Sequence, residues 1–457
     1  MIRNFKKKLT LASVCIGASI NTYAAYNTLD GTFNGLPRAE TENKKFNGYI
    51  GGLSNQANTE IGHVPGNRYW FDGFFDFHSK DENRAELKLT VSALRNDQAL
   101  LMQSVQEAYI GVNAGKNQMK LGRVIVPWST MDSTWGFGKL NNRKNFDGFD
   151  PGQEGLVGLS FERQSANGMR YRFFGSPLYV PELNPSMDIN KGSKTITTRH
   201  PWVDVPASTA EVEGTTKRIE YTVNMPDIMD VVQRYTVGAN VGWENKNWVV
   251  DTFYVYKPEN TQTPKVEVAY NTGTDVIKAN ITPEFFYHHV FGGNLKYRNK
   301  DVEMYISGMG VHPNTFPDGN VKDTQATNIK TEKRREAYMG GGIGRSNDLY
   351  SLGLNYVARL SPFDRENDSL AVDPRWNQAV NAVLTRNFGR LYSLGADIKY
   401  DMLTTDRLVM LKASYRPTKE LMMSVGVNMI GTPTDGQSYW SPYTNNDAVY
   451  GSLRYIF

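Results

Sequence analysis

The chain has 457 residues, 40% hydrophobic and 21% charged, with a mean hydropathy of −0.50. Its 25 Tyr, 21 Phe and 41 Gly against one Cys, Cys15, exclude disorder, a disulfide scaffold and a cysteine-rich zinc module. No run of apolar residues is long enough to cross a bilayer as a helix, which leaves a large Gly- and Tyr-rich β protein or a soluble α/β enzyme.

At the N-terminus Arg3, Lys6, Lys7 and Lys8 precede the apolar run Leu9–Ile20, and Thr22-Tyr23-Ala24 places small residues at the two cleavage-determining positions. This predicts a signal peptide over 1–24, cleaved after Ala24. The apolar run is too short for an anchored helix, and bulky Val14 speaks against lipid attachment at Cys15. The formal charge of +4 comes from the four basic residues of this leader. The exported chain is neutral and thiol-free, so nucleic-acid binding drops out. Residues 25–45 are expected to form a periplasmic N-terminal segment ahead of a barrel over 46–457.

From residue 46 onward the dominant pattern is alternation of apolar and polar residues. In 84–94, Ala85, Leu87, Leu89, Val91 and Ala93 share one face, opposite Arg84, Glu86, Lys88, Thr90 and Ser92. The same pattern predicts eighteen strands, near 46–54, 70–78, 84–94, 106–113, 117–123, 155–164, 169–176, 235–244, 247–256, 288–298, 301–310, 336–345, 349–359, 377–387, 391–400, 407–416, 420–429 and 447–457. Tight turns at 80–83, 114–116, 165–168, 245–246, 299–300, 346–348, 388–390 and 417–419 alternate with longer polar stretches. These stretches lie at 55–69, 95–105, 124–154, 177–234, 257–287, 311–334, 360–376 and 430–446, with a shorter loop at 401–406.

Short turns at one end and long loops at the other predict an all-β, antiparallel transmembrane β-barrel, with turns in the periplasm and loops outside. Sixteen strands is the rival count if the first hairpin lies outside the barrel. Tyr221 and the run 265–270 read as structure inside loops. Closure follows from backbone satisfaction, since in hydrocarbon a sheet spans only if it has no unpaired edge. Trp243, Trp248, Tyr254, Tyr256, Tyr392 and Tyr400 suit interfacial girdles, the alternative being rings packed in a soluble core.

The chain ends Val449-Tyr450-Gly451-Ser452-Leu453-Arg454-Tyr455-Ile456-Phe457, with Phe457, Tyr455, Leu453 and Val449 on one face. This resembles the closing-strand signal of Gram-negative outer-membrane barrels, which implies that Tyr455 and Phe457 are read by the barrel-assembly machinery. The segment VQEAYIGVNAGKNQMKLGR, Val105–Arg123, resembles the porin superfamily, where an AYxGL-like strand turns tightly into a strand ending LGR. The long insertion at 177–234 departs from a small general porin, and eighteen strands look more like the substrate-selective channels.

The resemblance implies that 124–154, the third external loop, folds into the lumen and narrows it. Trp128, Trp135 and Phe137 are candidate anchors, and Asp132, Lys139, Arg143, Lys144, Asp147, Asp150 and Glu154 supply charge. Parity turns Lys88, Lys120, Arg170, Arg172, Lys296, Arg298, Lys399, Lys412 and Arg416 inward, against Glu86, Glu107, Glu162, Asp251, Glu303 and Asp397. That balance predicts a mild anion preference, unless the charges only pair and stiffen the wall. Arg123 shares parity with lipid-facing Met119 and Leu121, so its strand is expected to end or bulge there.

Catalytic signals are weak. The six His lack HExxH spacing, no G-x-S-x-G elbow occurs, and adjacent His288 and His289 would point to opposite faces of a strand. The glycines at 340–344 are read as room for an inserted loop. The leading function is an outer-membrane channel for passive diffusion of small hydrophilic solutes, without cofactor or metal. A barrel enzyme using His312 or His200, or a surface interaction barrel, are the alternatives. Expected partners are outer-membrane lipid, lipopolysaccharide, the barrel-assembly machinery and small hydrophilic solutes, with monomer and homotrimer both open.

Overall fold

The computed structural model describes residues 46–57, 66–78, 83–96, 101–143, 148–149, 152–182, 187–198, 205–314, 326–330, 335–361, 374–433, 438–444 and 446–456, with side chains from Gln103 to Tyr455 outside 326–330. The leader 1–24 and the segment 25–45 lie outside these residues.

Eighteen strands form one antiparallel sheet in chain order: β1 (Phe46–Ala57), β2 (Gly66–His78), β3 (Asn83–Asn96), β4 (Leu101–Ala114), β5 (Asn117–Val124), β6 (Leu156–Gln164), β7 (Met169–Ser176), β8 (Thr236–Glu244), β9 (Trp248–Pro258), β10 (Tyr287–Arg298), β11 (Val302–Pro313), β12 (Glu336–Ser346), β13 (Tyr350–Arg359), β14 (Gln378–Phe388), β15 (Tyr392–Asp401), β16 (Arg407–Tyr415), β17 (Leu421–Gly431) and β18 (Ala448–Ile456). The ring is closed. β1 pairs with β2 and also with β18, from Tyr49↔Ile456 to Ala57↔Ala448. The first hairpin is therefore part of the barrel, and the count of sixteen is excluded.

Three of the short turns share one local device. The side chains of Asn245, Asn299 and Asn347 each accept backbone N–H groups two and three residues on, at 2.8–3.0 Å. Such Asx turns satisfy the donors that a three-residue connection exposes. At the long-loop end, β3 and β4 run further than the alternation predicts, leaving only 97–100 between them. A bulge explains the discrepancy: Thr90 pairs with Glu107 and Val91 with Val105, so Gln106 has no partner. The extra residue reverses parity before it, and the pattern no longer reads as one strand.

Alternation sorts the side chains. Ile110, Leu121, Phe173, Phe291, Ile306, Leu354 and Val425 are exposed on the outer face, while Tyr109, Phe174, Val290, Tyr305, Asn355 and Ser424 are buried on the inner one. Rings of Tyr235, Tyr256 and Tyr287 gather at the long-loop end with centroids 5.0–5.8 Å apart. At the turn end Trp248 meets Tyr297 and Tyr392 meets Tyr415, each at 4.9 Å. An apolar belt between two aromatic girdles is what a bilayer selects.

The long loops carry a sheet of their own. Strands Thr209–Val212, Thr215–Val223, Val276–Glu284, Thr263–Asn271 and Ala326–Lys330 pair in that order, with 215–223 parallel to 276–284. Tyr221, Ile196 and Ala279 form its small core.

Candidate pore constriction

After β5 the chain turns into the barrel. Ser129 caps a short helix, α1 (Thr130–Trp135), its hydroxyl accepting the Asp132 N–H at 3.3 Å, and Gly136 ends it with φ 62°. Such left-handed termination suits glycine, which has no Cβ to clash. Val126, Trp128, Met131, Trp135, Phe137, Leu140 and Phe149 are all buried. They join one apolar cluster with wall residues from β4 to β17 and with Trp376 and Trp440 of two other long loops. Trp135 packs on Trp376 at 5.8 Å, Trp376 on Trp440 at 5.4 Å, and Phe137 on Tyr338 at 4.5 Å.

Two glycines make room for this inserted loop. A Cβ on Gly238 of β8 would lie 2.8 Å from Trp128 Cη2, and one on Gly340 of β12 would lie 3.1 Å from Met131 Sδ. Polar anchors fix the loop to the wall. Asn294 Nδ2 donates to Trp128 O (2.9 Å) and to Asp251 (2.6 Å), while its Oδ1 accepts the Thr130 N–H (3.2 Å) and the Ser307 hydroxyl (2.7 Å). Asn260 donates to Gly138 O and to Asn141 O.

The charged candidates fall into different places. Asp132 is buried and its carboxylate accepts the N–H groups of Lys139 (3.1 Å) and Leu140 (3.4 Å), closing the loop on itself. Burial pushes this carboxyl up, opposed by those backbone bonds and by Arg143 and Lys139. Lys139 reaches the wall and pairs with Glu336 at 2.8 Å, both side chains partly exposed. Arg143 pairs with Glu182 at 3.3 Å, tying this loop to the long insertion after β7. Burial pushes the Glu182 carboxyl up, with Arg143 opposing. Lys144, Asp147 and Asp150 lie outside the described residues.

On the wall, Lys120 sits over the Tyr109 ring at 4.7 Å, and Arg172 bonds Glu162 and donates to Pro127 O of the loop at 3.3 Å. Arg170 lies 3.7 Å from Glu244 and 3.6 Å from Asp251, Arg298 lies 3.7 Å from Glu244, and Lys399 lies 4.0 Å from Asp397. Glu107 accepts the Ile125 N–H at 3.3 Å, and Glu303 is buried on β11. Lys296 and Lys412 share the inward parity of their strands. Arg416 stands just past β16 in a turn, donating to Lys419 O at 2.6 Å. The side chains of Lys88 and Glu86 are outside the described set, as is Phe457, while Tyr455 is on the outer face.

Sequence reasoning flagged Arg123 as a place where its strand ends or bulges and named Glu154, but missed several other members. Arg123 turns from the outer face where Gly122 adopts φ 134°, and it binds buried Glu154 at 2.7 Å and Gly155 O at 3.0 Å. Ser104 bonds the other oxygen of Glu154. Glu182, Asn260, Trp376 and Trp440 come from other loops, and nothing local in the chain marks them. Inward asparagines were the available signal. Asn355 donates to Asn381 Oδ1 (2.9 Å), and Asn381 to Asp397 (2.5 Å), in a belt that apolar parity alone passes over.

His288 points inward and His289 outward, where Tyr254 bonds its ring at 2.7 Å. Among the described residues no three His, Cys, Asp or Glu side chains assemble as a metal site.

No protein-family model matches the chain, and no curated protein sequence matches it. Among solved structures it is similar to OccAB3 of Acinetobacter baumannii (8% identity, 90% of this chain and 99% of that one, TM-score 0.44). It is also similar to OccK5 (OpdH) of Pseudomonas aeruginosa (7%, 90% and 97%, 0.45) and to a mutant of the Rh. blastica porin (11%, 90% and 99%, 0.39). At scores this low the likeness decides nothing. The fold rests on the closed strand pairing itself.

Proposed function

We propose that the chain is a porin-type outer-membrane channel through which small hydrophilic solutes diffuse passively. One observation carries this reading: a closed ring of eighteen strands is apolar outside and charged within, and holds a folded loop against its inner wall. A soluble protein would place its apolar belt inside. Here the belt covers the outer face and the polar residues face a lumen, which suits hydrocarbon around the barrel and water within it. On this reading the turns face the periplasm, the long loops face outward, and residues 1–24 serve export.

The loop carrying Lys139 and Arg143 is the proposed constriction, with Lys144, Asp147 and Asp150 as further candidates. Inward cations outnumber inward carboxylates, supporting a mild anion preference. Pairing of Arg170, Arg172, Arg298 and Lys399 with wall carboxylates keeps that preference small. Assembly is proposed to engage the barrel-assembly machinery and lipopolysaccharide, as a monomer or a homotrimer.

Vesicles reconstituted with the purified protein should swell in isotonic sugars, at rates falling steeply with sugar size. Swelling no faster than that of protein-free vesicles would contradict a solute channel.

A further inference from the structure

Just before β8, an apolar stripe is left uncovered. Ile228, Met229 and Val232 lie on the short helix α2 (Ile228–Val232), with Met225 in the non-helical segment just before it; Asp227 caps the helix by accepting the Met229 N–H at 2.8 Å. A helix ordinarily buries its apolar stripe. Here Met225 is 71% exposed, Ile228 75% and Met229 54%, and none of the helix is buried. The polar positions between them, Asp227 and Asp230, are exposed as well.

The helix is not adrift in the loop. The Tyr179 N–H donates to Val232 O at 2.8 Å, prolonging the β7–β8 pairing beyond Ser176↔Thr236. Arg234 grips both sides, donating through Nε to Asp230 O (2.9 Å) and through Nη1 to Phe285 O (3.3 Å). The next residue, Tyr235, is 52% exposed and belongs to the aromatic girdle with Tyr256 and Tyr287. The uncovered stripe thus continues the outer apolar belt past its girdle, one short helix further along the wall.

We infer that residues 225–232 form an interfacial anchor whose apolar stripe is seated in the headgroup–acyl boundary of the outer leaflet. The inference rests on the membrane-barrel reading. The occupant is lipid because the surface that the stripe extends is the lipid-facing belt, and an apolar stripe beside a tyrosine girdle lies at the depth where interfacial helices settle. Bulky exposed apolar side chains in contact with water would otherwise be a liability. The bonds from Tyr179 and Arg234 hold the helix at that height. In this way the anchor would fix the base of the 177–234 insertion, whose Glu182 pairs with the constriction loop.

The test uses the full chain carrying Cys15→Ser and single cysteines at positions 225, 228, 229 and 230, each spin-labelled and reconstituted in phosphatidylcholine vesicles at low protein-to-lipid ratio. All four positions are exposed, and heat-modifiable gel mobility checks that each variant folds. The expected result is collision with oxygen exceeding collision with a water-soluble nickel chelate by several-fold at 225, 228 and 229, and the reverse at 230. Preferential nickel access at all four would overturn the inference. So would protection from both reagents with spin–spin broadening, which would mean that a second copy of the chain covers the stripe. A label at Ile306, on the belt itself, separates the two failures. If 306 is oxygen-accessible and 228 is not, only the anchor fails; if 306 favours nickel, the membrane reading fails.

Discussion

Val425 and Lys296, on different strands, show how the barrel wall serves two solvents. Val425 is 55% exposed on the outer face of β17, where arginine would have to enter hydrocarbon; Val425→Arg should cost roughly 2–4 kcal/mol of folding stability. Lys296 faces the lumen on β10, and Lys296→Gln should change stability by less than about 0.5 kcal/mol. Denaturant titration in lipid vesicles measures both, and the opposite order would place the register one residue out. Asp132 adds a pH dependence of unusual sign. Burial raises its carboxyl above 3.8, so the folded loop holds the proton more tightly than the unfolded chain does. Its contribution is full below the unfolded value and is lost as pH rises through the folded one. Glu182 shifts in the same direction. Acidification from neutral pH toward 4 should therefore make excursions of the loop rarer in single-channel records, and Asp132→Asn should weaken that response. More frequent excursions at low pH would contradict this.

At the scale of the element, the constriction loop is held by close packing and by two ion pairs with different tasks. Gly238→Leu would drive a side chain into the Trp128 ring and should displace the loop, raising single-channel conductance, whereas Gly389→Ala in a short turn at the far end should not. Lys139→Gln should move the reversal potential in a salt gradient toward cation preference. Breaking the more buried Arg143–Glu182 pair with Arg143→Ala should destabilise the loop by about 3–5 kcal/mol and make the current noisier. The strands themselves were legible, because β13 and β17, for example, alternate without interruption. β3 and β4 were legible only in part, since the bulge at Gln106 puts Ser104 and Glu107 both inside and breaks the period. The loop sheet was legible in part, since Tyr221 and 265–270 read as structure inside loops and lie in two of its strands, but its pairing was not. Its parallel pairing of 215–223 with 276–284 joins segments far apart in the chain, and no local period records it. For the site, the charges of 124–154 were visible, but their partners Glu182 and Glu336 were not, because only the folded barrel brings distant loops and strands together.

For the whole molecule, closure is what turns alternating strands into a membrane-spanning body. β18 must find β1, and its outer face carries Val449, Leu453 and Tyr455 toward the terminal Phe457. Removing Phe457 should lower the yield of heat-modifiable protein in the outer membrane severalfold, with undocked chain accumulating in the periplasm. A neutral result would divorce assembly from the terminal aromatic. The proposed channel is tested most directly by conductance in planar bilayers formed with the purified protein at low concentration. Discrete, ohmic current steps are expected, larger after excision of part of 124–154. Bilayers that incorporate folded protein yet carry no steps, in the intact chain and in the loop-deleted one alike, would contradict a solute-conducting lumen.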